Sequence, residues 1–537
     1  MVLNFKKVFL IFFYIFLFFF FLYNSFSYLD PDLGWHLKTG EWIVTEQALP
    51  YYNHFNYTIN NQNWIDHEWL LDAFSYIVYE NFGYIALSVF FALLITGLLA
   101  LWHLFIQKNY TRSEAGFAFL IFLMIWGTLA IRPHTGVRMQ EIGLLNLVLL
   151  LIILFYYQKS RQVKVLLFLP VLFYFWATVH ASFLIGIFLL VLFLGVKVVE
   201  NILKRVVNWK FIDFKRTLSG KEIFVLAFFS FISVIVTFLT PYGAELYVFL
   251  KSFSNTYYLT HINEWLGQYY LPFNYYQLFY LAFGGAILFL YVFDSFNRKN
   301  NLKINLWHLS IFVLFFFLAF TSRRHFPLFF IASLPILISY LDQTFSFKMN
   351  FFHSWNKGAL KGAKIYLEFC LIFFLTIGSF SAFSLTNFTN SPFEHYCRQY
   401  PCGAVKFFKN SPKYEEDKLL NKFGWGGYLI WTYPKKKLFI DGRFPHAEFK
   451  GHTILEEYVQ FFDKEKQARK IEESDFRLVL IHPREKKHHL DWLEKKFFAR
   501  KQDKPREYNK LAEFFINSND WEIIYQDQAA IVFFQKN

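Results

Sequence analysis

Apolar runs long enough to cross a bilayer recur through residues 1–385, and that feature leaves few folds open. A lipid-exposed segment must satisfy its own backbone hydrogen bonds, so each run reads as a helix and the chain as a polytopic α-helical membrane protein. The runs stand at residues 8–26, 85–106, 115–131, 142–157, 165–179, 183–199, 223–239, 276–293, 306–320, 326–341 and 365–385. That gives about eleven transmembrane helices. With 55% hydrophobic and 18% charged residues, and 75 Phe among 537 residues, the composition excludes a disordered chain and an ordinary soluble enzyme.

Fifty-four basic and 40 acidic residues leave a formal charge of +14. In a soluble chain this excess would suggest nucleic acid, but here the basic residues cluster between apolar runs, where membrane topology explains them and no nucleic acid is needed. Lys6 and Lys7 precede a first run with no small-residue cleavage site behind it, which reads as a retained anchor. Lys159, Arg161 and Lys164 stand before residues 165–199, and Lys197, Lys204, Arg205, Lys210, Lys215 and Arg216 at or after their end. Both flanks favour the cytoplasm, so the chain crosses twice there, turning at residues 180–182. Residues 108–112, 298–303 and 348–364 also read as cytoplasmic. The alternation then places the N-terminus inside and the C-terminus outside. Residues 27–84 form the first outer loop, and residues 386–537 a small extracytoplasmic α/β domain.

Three cysteines are too few for a disulfide scaffold or a Cys-based zinc site. Cys370 reads as core. Cys397 and Cys402 are close enough to bridge, which requires an oxidising compartment.

On this topology the ionisable residues at span ends gather on the outer side. The first outer loop opens Asp30-Pro31-Asp32-Leu33-Gly34-Trp35-His36, with two carboxylates at the membrane surface around a fixed Pro. Asp32 as a helix cap and a functional carboxylate are both open readings. A second concentration, Trp64-Ile65-Asp66-His67-Glu68-Trp69, precedes the second span. Asp66 reads as a cap, while His36, His67 and Glu68 are candidates for an outer cavity. Trp35, Trp42, Trp64 and Trp69 suit an interfacial belt or the stacking of sugar rings. Arg132, His134, Arg138, His180, Glu264, Arg323, Arg324 and His325 all fall at outer ends of spans. Basic residues there run against the positive-inside bias and call for an anion, whether a lipid head group or a substrate phosphate. Asp30, Asp32 and Glu68 offer hard oxygen ligands for a divalent metal ion, although no His/Cys spacing demands one.

The order of an apolar first helix, an Asp-x-Asp-x-x-Trp-His loop, Trp-x-x-x-Glu-Trp-Leu, many spans and a terminal outer domain resembles the GT-C superfamily of integral-membrane glycosyltransferases. Within it, the Asp-Pro-Asp-x-x-Trp-His-Leu opening is similar to a bacterial set. Collinear fragments extend the resemblance over nearly the whole chain: Arg132-Pro133-His134, Trp176-Ala177-Thr178-Val179-His180, Thr240-Pro241-Tyr242-Gly243, Glu264-Trp265, Arg324-His325-Phe326-Pro327 and Ile440-Asp441-Gly442-Arg443.

The resemblance implies a bacterial inner-membrane enzyme. It would pass a sugar from a polyprenyl-phosphate carrier to an envelope acceptor on the outer face, with inversion, and some relatives use divalent ions. It also implies that the key carboxylate lies in the first outer loop, Asp30 or Asp32, without choosing between them. His36, His67, Glu68, Arg132, His134, His180 and Glu264 would bind substrate, with Arg323, Arg324 and His325 holding the donor phosphate. No Gly-rich phosphate loop opens a helix, in keeping with a lipid-linked donor.

Two other classes compete. A transporter or flippase would place ionisable residues at mid-span and often repeat itself internally, and neither is seen. A non-catalytic envelope scaffold is separated only by an activity measurement.

In the terminal domain, residues 456–473 read as helical and residues 477–482, 521–525 and 530–534 as strands, the last two joined by a turn at Asp527-Gln528. Gly424-Trp425-Gly426-Gly427 reads as a turn into a strand, and residues 437–441 as a strand ending at an Asp-Gly turn with an Asp441 to Arg443 ion pair.

Overall fold

A computed structural model describes residues 5–60, 62–207, 209–253, 256–297, 302–352, 357–484 and 509–536. The basic stretches 298–303 and 348–364 lie partly outside these residues. The chain divides into two compact units that are discontinuous in sequence. One comprises residues 1–27, 88–243 and 264–387, and the other residues 28–87, 244–263 and 388–537.

The first unit is a helical bundle. Among the described residues of the chain, eight helices are long and apolar enough to cross a membrane. Val163–Val179, Leu306–Thr321 and Cys370–Ser384 are also apolar but shorter than the roughly 20 residues a perpendicular span needs. Many large side chains stay exposed, as lipid-facing positions should: Phe224 is 72% and Phe380 71% accessible.

Since lipid tails are as apolar as Phe, close packing holds the helices together. A Cβ on Gly127 would run into the Phe330 ring, and one on Gly116 into the Asp342 carboxylate. Asp342 accepts from the backbone N–H of Arg112 at 2.9 Å and of Ser113 at 3.0 Å, so a neighbouring helix holds the segment that enters Glu114–Ile131, while Ser113 itself caps that helix by accepting from Gly116 N–H. The expected turn between two helices is present. Phe168–Val179 ends at His180, and Phe183–Val206 begins after Ser182.

The second unit carries a four-stranded sheet. Its strands are β1 (Leu419–Asn421), β4 (Leu478–Ile481), β5 (Trp521–Gln526) and β6 (Ile531–Gln535), in the order β1-β4-β6-β5. A separate hairpin pairs β2 (Glu448–Phe449) with β3 (His452–Thr453). β1 runs parallel to β4, and the other sheet pairs are antiparallel. All four residues of β4 are buried, as a central strand requires. Asp527 Oδ1 accepts from the N–H groups of Ala529 and Ala530, both at 2.7 Å, which makes the expected turn between β5 and β6. Cys397 and Cys402 are disulfide-bonded, with a Cα–Cα separation of 5.2 Å.

Three local expectations are corrected. Residues 456–473 form two short helices, Ile454–Gln460 and Gln467–Glu472, because Asp463 turns the chain between them by accepting from Glu465 N–H at 3.1 Å. Residues 424–431 enter a helix, Gly426–Thr432, rather than a strand. Residues 437–441 form no strand, and only Leu438 bridges, to Asn56 and Leu419. The Asn421 side chain takes the backbone groups a ladder would have used, accepting from Phe439 N–H at 2.9 Å and donating to the Ile440 carbonyl at 2.8 Å.

Candidate functional site

Within the second unit, the Asp-Pro-Asp loop starts the helix Leu33–Glu46. The backbone carbonyl of Asp32 accepts from the N–H groups of Trp35 and His36. Asp32 occupies the N-cap position, yet its side chain makes no cap hydrogen bond. Asp30 Oδ1 accepts from Asp32 N–H at 2.9 Å and closes the loop.

The helix is seated by glycines. A Cβ on Gly34 would run into the Gly427 carbonyl, one on Gly427 into the Pro31 carbonyl, one on Gly442 into Asp32 Oδ1, and one on Gly40 into the Asp72 carbonyl. The Gly-Gly and Asp-Gly-Arg segments therefore exist to let backbones approach the carboxylate loop.

That seating brings His36, one turn beyond Asp32, to the start of the helix Trp69–Tyr110. His36 Nδ1 lies 2.7 Å from Asp72 Oδ1, and its Nε2 lies 3.7 Å from Glu68 Oε2. His67 Nε2 lies 3.6 Å from Glu68 Oε1. Asp66 Oδ1 accepts from Glu68 N–H at 3.1 Å, closing a turn just before the helix rather than capping it, because the first helical bonds are accepted by the Glu68 carbonyl. The other Asp66 carboxylate oxygen and Asp72 Oδ2 are buried without hydrogen-bond partners among the described residues. Burial first, and the Asp72 charge second, push the Asp66 carboxyl well above its usual range. Two buried carboxylates with unmade bonds at one place attract a proton or a cation.

Among the described residues, His36, Glu68 and Asp72 form the one group able to hold a metal ion, their ligand atoms lying within 4.8 Å of one another. An imidazole with two carboxylates suits a divalent ion such as Mn²⁺ or Zn²⁺. Glu68 belongs to the expected ligand set, whereas Asp30 and Asp32 are not in this group and His36 and Asp72 take their place. Asp72 was not singled out from the sequence. The available signal was its spacing, since Glu68 and Asp72 stand four apart where a helix begins. At 100 times its dissociation constant, an ion held here stabilises the fold by about 2.7 kcal/mol. Mn²⁺ should therefore raise the unfolding temperature of the wild type and leave that of Glu68→Gln unmoved. Equal shifts in both would remove the ion from these residues.

The expected Asp441 to Arg443 ion pair is present. The Arg443 side chain donates to Asp441 at 2.9 and 2.7 Å, to Asn53 at 3.0 Å and to Asn56 at 3.1 Å. Its guanidinium lies 4.5 Å from the Trp64 ring centroid, so Trp64 is a core residue. Trp35 stacks on His36 at 3.6 Å, while Trp42 is exposed.

Within the first unit, Glu264 stands between two guanidiniums: Arg138 Nη1 lies 2.8 Å from Oε1, and Arg324 Nη1 lies 3.2 Å from Oε2. Arg324 also covers the Trp265 ring at 5.2 Å, and His325 meets the same ring edge-on at 5.5 Å. His134 is within electrostatic reach of Glu264, Arg138, Arg324 and His325. Burial alone would raise the Glu264 carboxyl, but the two guanidiniums outweigh it and hold the group at about 2.

A carboxyl depressed from 4.5 in this way stabilises the fold fully above pH 4.5, and the contribution is lost as pH falls toward 2. The unfolding-temperature advantage of the wild type over Glu264→Gln should therefore be constant above about pH 5 and shrink as pH is lowered to 3. An advantage undiminished at low pH would contradict the pairing.

The other residues expected here are held elsewhere. Arg132 Nε donates to Asn24 Oδ1 at 3.2 Å, Arg323 donates to the Tyr270 carbonyl, and His180 Nδ1 lies 2.8 Å from Ser182 Oγ in its turn. The expected site residues thus divide between the units, with Asp30, Asp32, His36, His67 and Glu68 in one, and His134, Arg138, Glu264, Arg324 and His325 in the other.

The fold is similar to that of the Archaeoglobus fulgidus oligosaccharyltransferase in its apo form, with a TM-score of 0.52 and 12% identity over 89% of this chain and 69% of that one. The same enzyme in complex with zinc and sulfate aligns at a TM-score of 0.44 and 11% identity over 88% of this chain and 67% of that one. No family model and no curated protein sequence matches. The chain is therefore a multi-helix protein with an oligosaccharyltransferase-like fold.

Proposed function

We propose that the chain is a glycosyltransferase of the GT-C type, transferring a sugar from a polyprenyl-phosphate carrier to an envelope glycan, lipid or protein on the extracytoplasmic face of a bacterial inner membrane. The carrying observation is Asp32. It stands at the N-cap of Leu33–Glu46, with its Oδ1 over Gly442 and one turn from a buried imidazole and carboxylate cluster. The oligosaccharyltransferase-like fold supports the same reaction class.

In this reading Asp32 accepts the proton of the acceptor hydroxyl. The freed oxygen attacks the anomeric carbon, the bond from that carbon to the phosphate oxygen breaks, and the configuration inverts. The proton leaves Asp32 for solvent. Asp30 holds the loop, and His36 and Glu68 set the field around it. Held by His36, Glu68 and Asp72, a divalent ion would neutralise the buried carboxylates and supply positive charge. The donor leaves as a lipid phosphate, an anion that needs cationic donors, and Arg324 beside Arg138 and His134 fills that role.

Two measurements test the proposal. Incubation of the purified chain in lipid nanodiscs with a lipid extract of its own membranes should release polyprenyl phosphate, read by mass spectrometry, and none should appear with Asp32→Asn. Equal release with and without protein would refute the reaction. A C-terminal alkaline-phosphatase fusion should be active, and an inactive fusion would overturn the orientation.

A further inference from the structure

Two buried glutamines determine which nitrogen of His134 carries its proton. Gln268 Nε2 donates to the Ala319 carbonyl at 3.2 Å and to Gln277 Oε1 at 2.8 Å. Gln277 Nε2 donates to the Ala130 carbonyl at 2.9 Å and faces His134 Nε2 at 3.2 Å. Both glutamines are fully buried. A backbone carbonyl can only accept, so each amide is oriented by one, and turning either over would set oxygen against oxygen. Each NH2 group has two hydrogens and uses both. The second hydrogen of Gln277 meets His134 Nε2, which must therefore be the acceptor. The ring proton sits on Nδ1, a buried atom without a hydrogen-bond partner among the described residues.

The titratable and charged groups within electrostatic reach of this ring are Glu264, Arg138, Arg324 and His325. Glu264 engages both of those guanidiniums, while among the described residues no group engages the Nδ1–H of His134. A buried donor left unmade is costly, and beside a cationic cluster the partner that fits it is an anionic oxygen.

We infer that Gln268 and Gln277 are positioning residues that fix His134 as an Nδ1–H donor to the phosphodiester of the lipid-linked sugar. The inference rests on the proposed reading that the Arg324 cluster takes that phosphate. An aromatic ring held in one tautomer donates in one direction only, so it selects a phosphate oxygen and rejects a group that must itself donate.

The test uses farnesyl methyl phosphate, a phosphodiester whose single charge does not change between pH 5.5 and 8, and the full chain in nanodiscs. In Gln277→Glu the amide donor becomes an acceptor, which draws the ring proton to Nε2. Nδ1 then donates only while the ring is doubly protonated. Relative to the wild type, affinity for the probe should fall about tenfold as pH rises from 5.5 to 8.

Arg324→Lys separates the two ideas. If it weakens the probe while Gln277→Glu follows the wild-type profile, the tautomer inference is overturned and the phosphate site stands. If Arg324→Lys binds as the wild type does, the phosphate reading fails and the inference with it. Should Gln277→Glu not fold, Gln277→Met weakens binding by releasing the tautomer. Adding His134→Asn then restores it, because a side-chain amide donates without tautomer selection. A double variant no better than Gln277→Met overturns the inference.

Discussion

Asp32→Asn should lower the transfer rate by roughly a hundredfold to ten-thousandfold, the usual cost of removing a general base, while the protein accumulates at wild-type levels. Because the Asp32 side chain makes no cap hydrogen bond, the amide gives up no fold-stabilising cap. Asp30→Asn is the paired comparison. The Asp30 carboxylate receives the Asp32 N–H, a role that an amide oxygen keeps at a cost of about 1 kcal/mol or less. Turnover should therefore separate the two positions where thermal stability does not. If Asp30→Asn abolishes transfer and Asp32→Asn leaves it near normal, the roles are reversed. If both are near normal, the base lies elsewhere.

Arg324→Lys should reduce turnover on the order of a hundredfold, and Arg323→Lys by far less. Arg324 pairs with Glu264 and covers Trp265 at the same time, which the flat, many-donor guanidinium does better than a lysine ammonium. Arg323 is occupied by the Tyr270 carbonyl. Negative charge grows on the phosphate as the glycosidic bond breaks, so the Arg324 loss should appear in kcat as well as in KM. Donor titrations of the two purified variants in the same nanodiscs measure this. Unimpaired kinetics in both would make these residues membrane anchors.

The parts of the structure that sequence patterning reaches are the local ones. Apolar run lengths give the helices, flank charges locate the turn at His180, and short runs of β-forming residues mark β4, β5 and β6. Glycines misled where their purpose was contact across the fold. Gly426 and Gly427 admit Asp441 and Pro31 within a helix, and no local pattern distinguishes that from a turn. Residues 437–441 look like a strand until Asn421 takes their backbone groups. The candidate site was half legible. Asp32, His36 and Glu68 stand out as polar residues in aromatic surroundings, but Asp72 meets His36 across 36 positions, and Gln277 meets His134 across 143. A discontinuous unit joining residues 28–87 to 388–537 has no linear signature.

Deletion of the gene, with mass spectrometry of polyprenyl-linked sugars and of envelope glycans, bears most directly on glycosyl transfer from a lipid carrier. The deletion strain should accumulate one lipid-linked sugar and lose one envelope glycan, with both restored by the wild-type chain and neither by Asp32→Asn. Unchanged lipid-linked sugars and glycans in the deletion strain would contradict it.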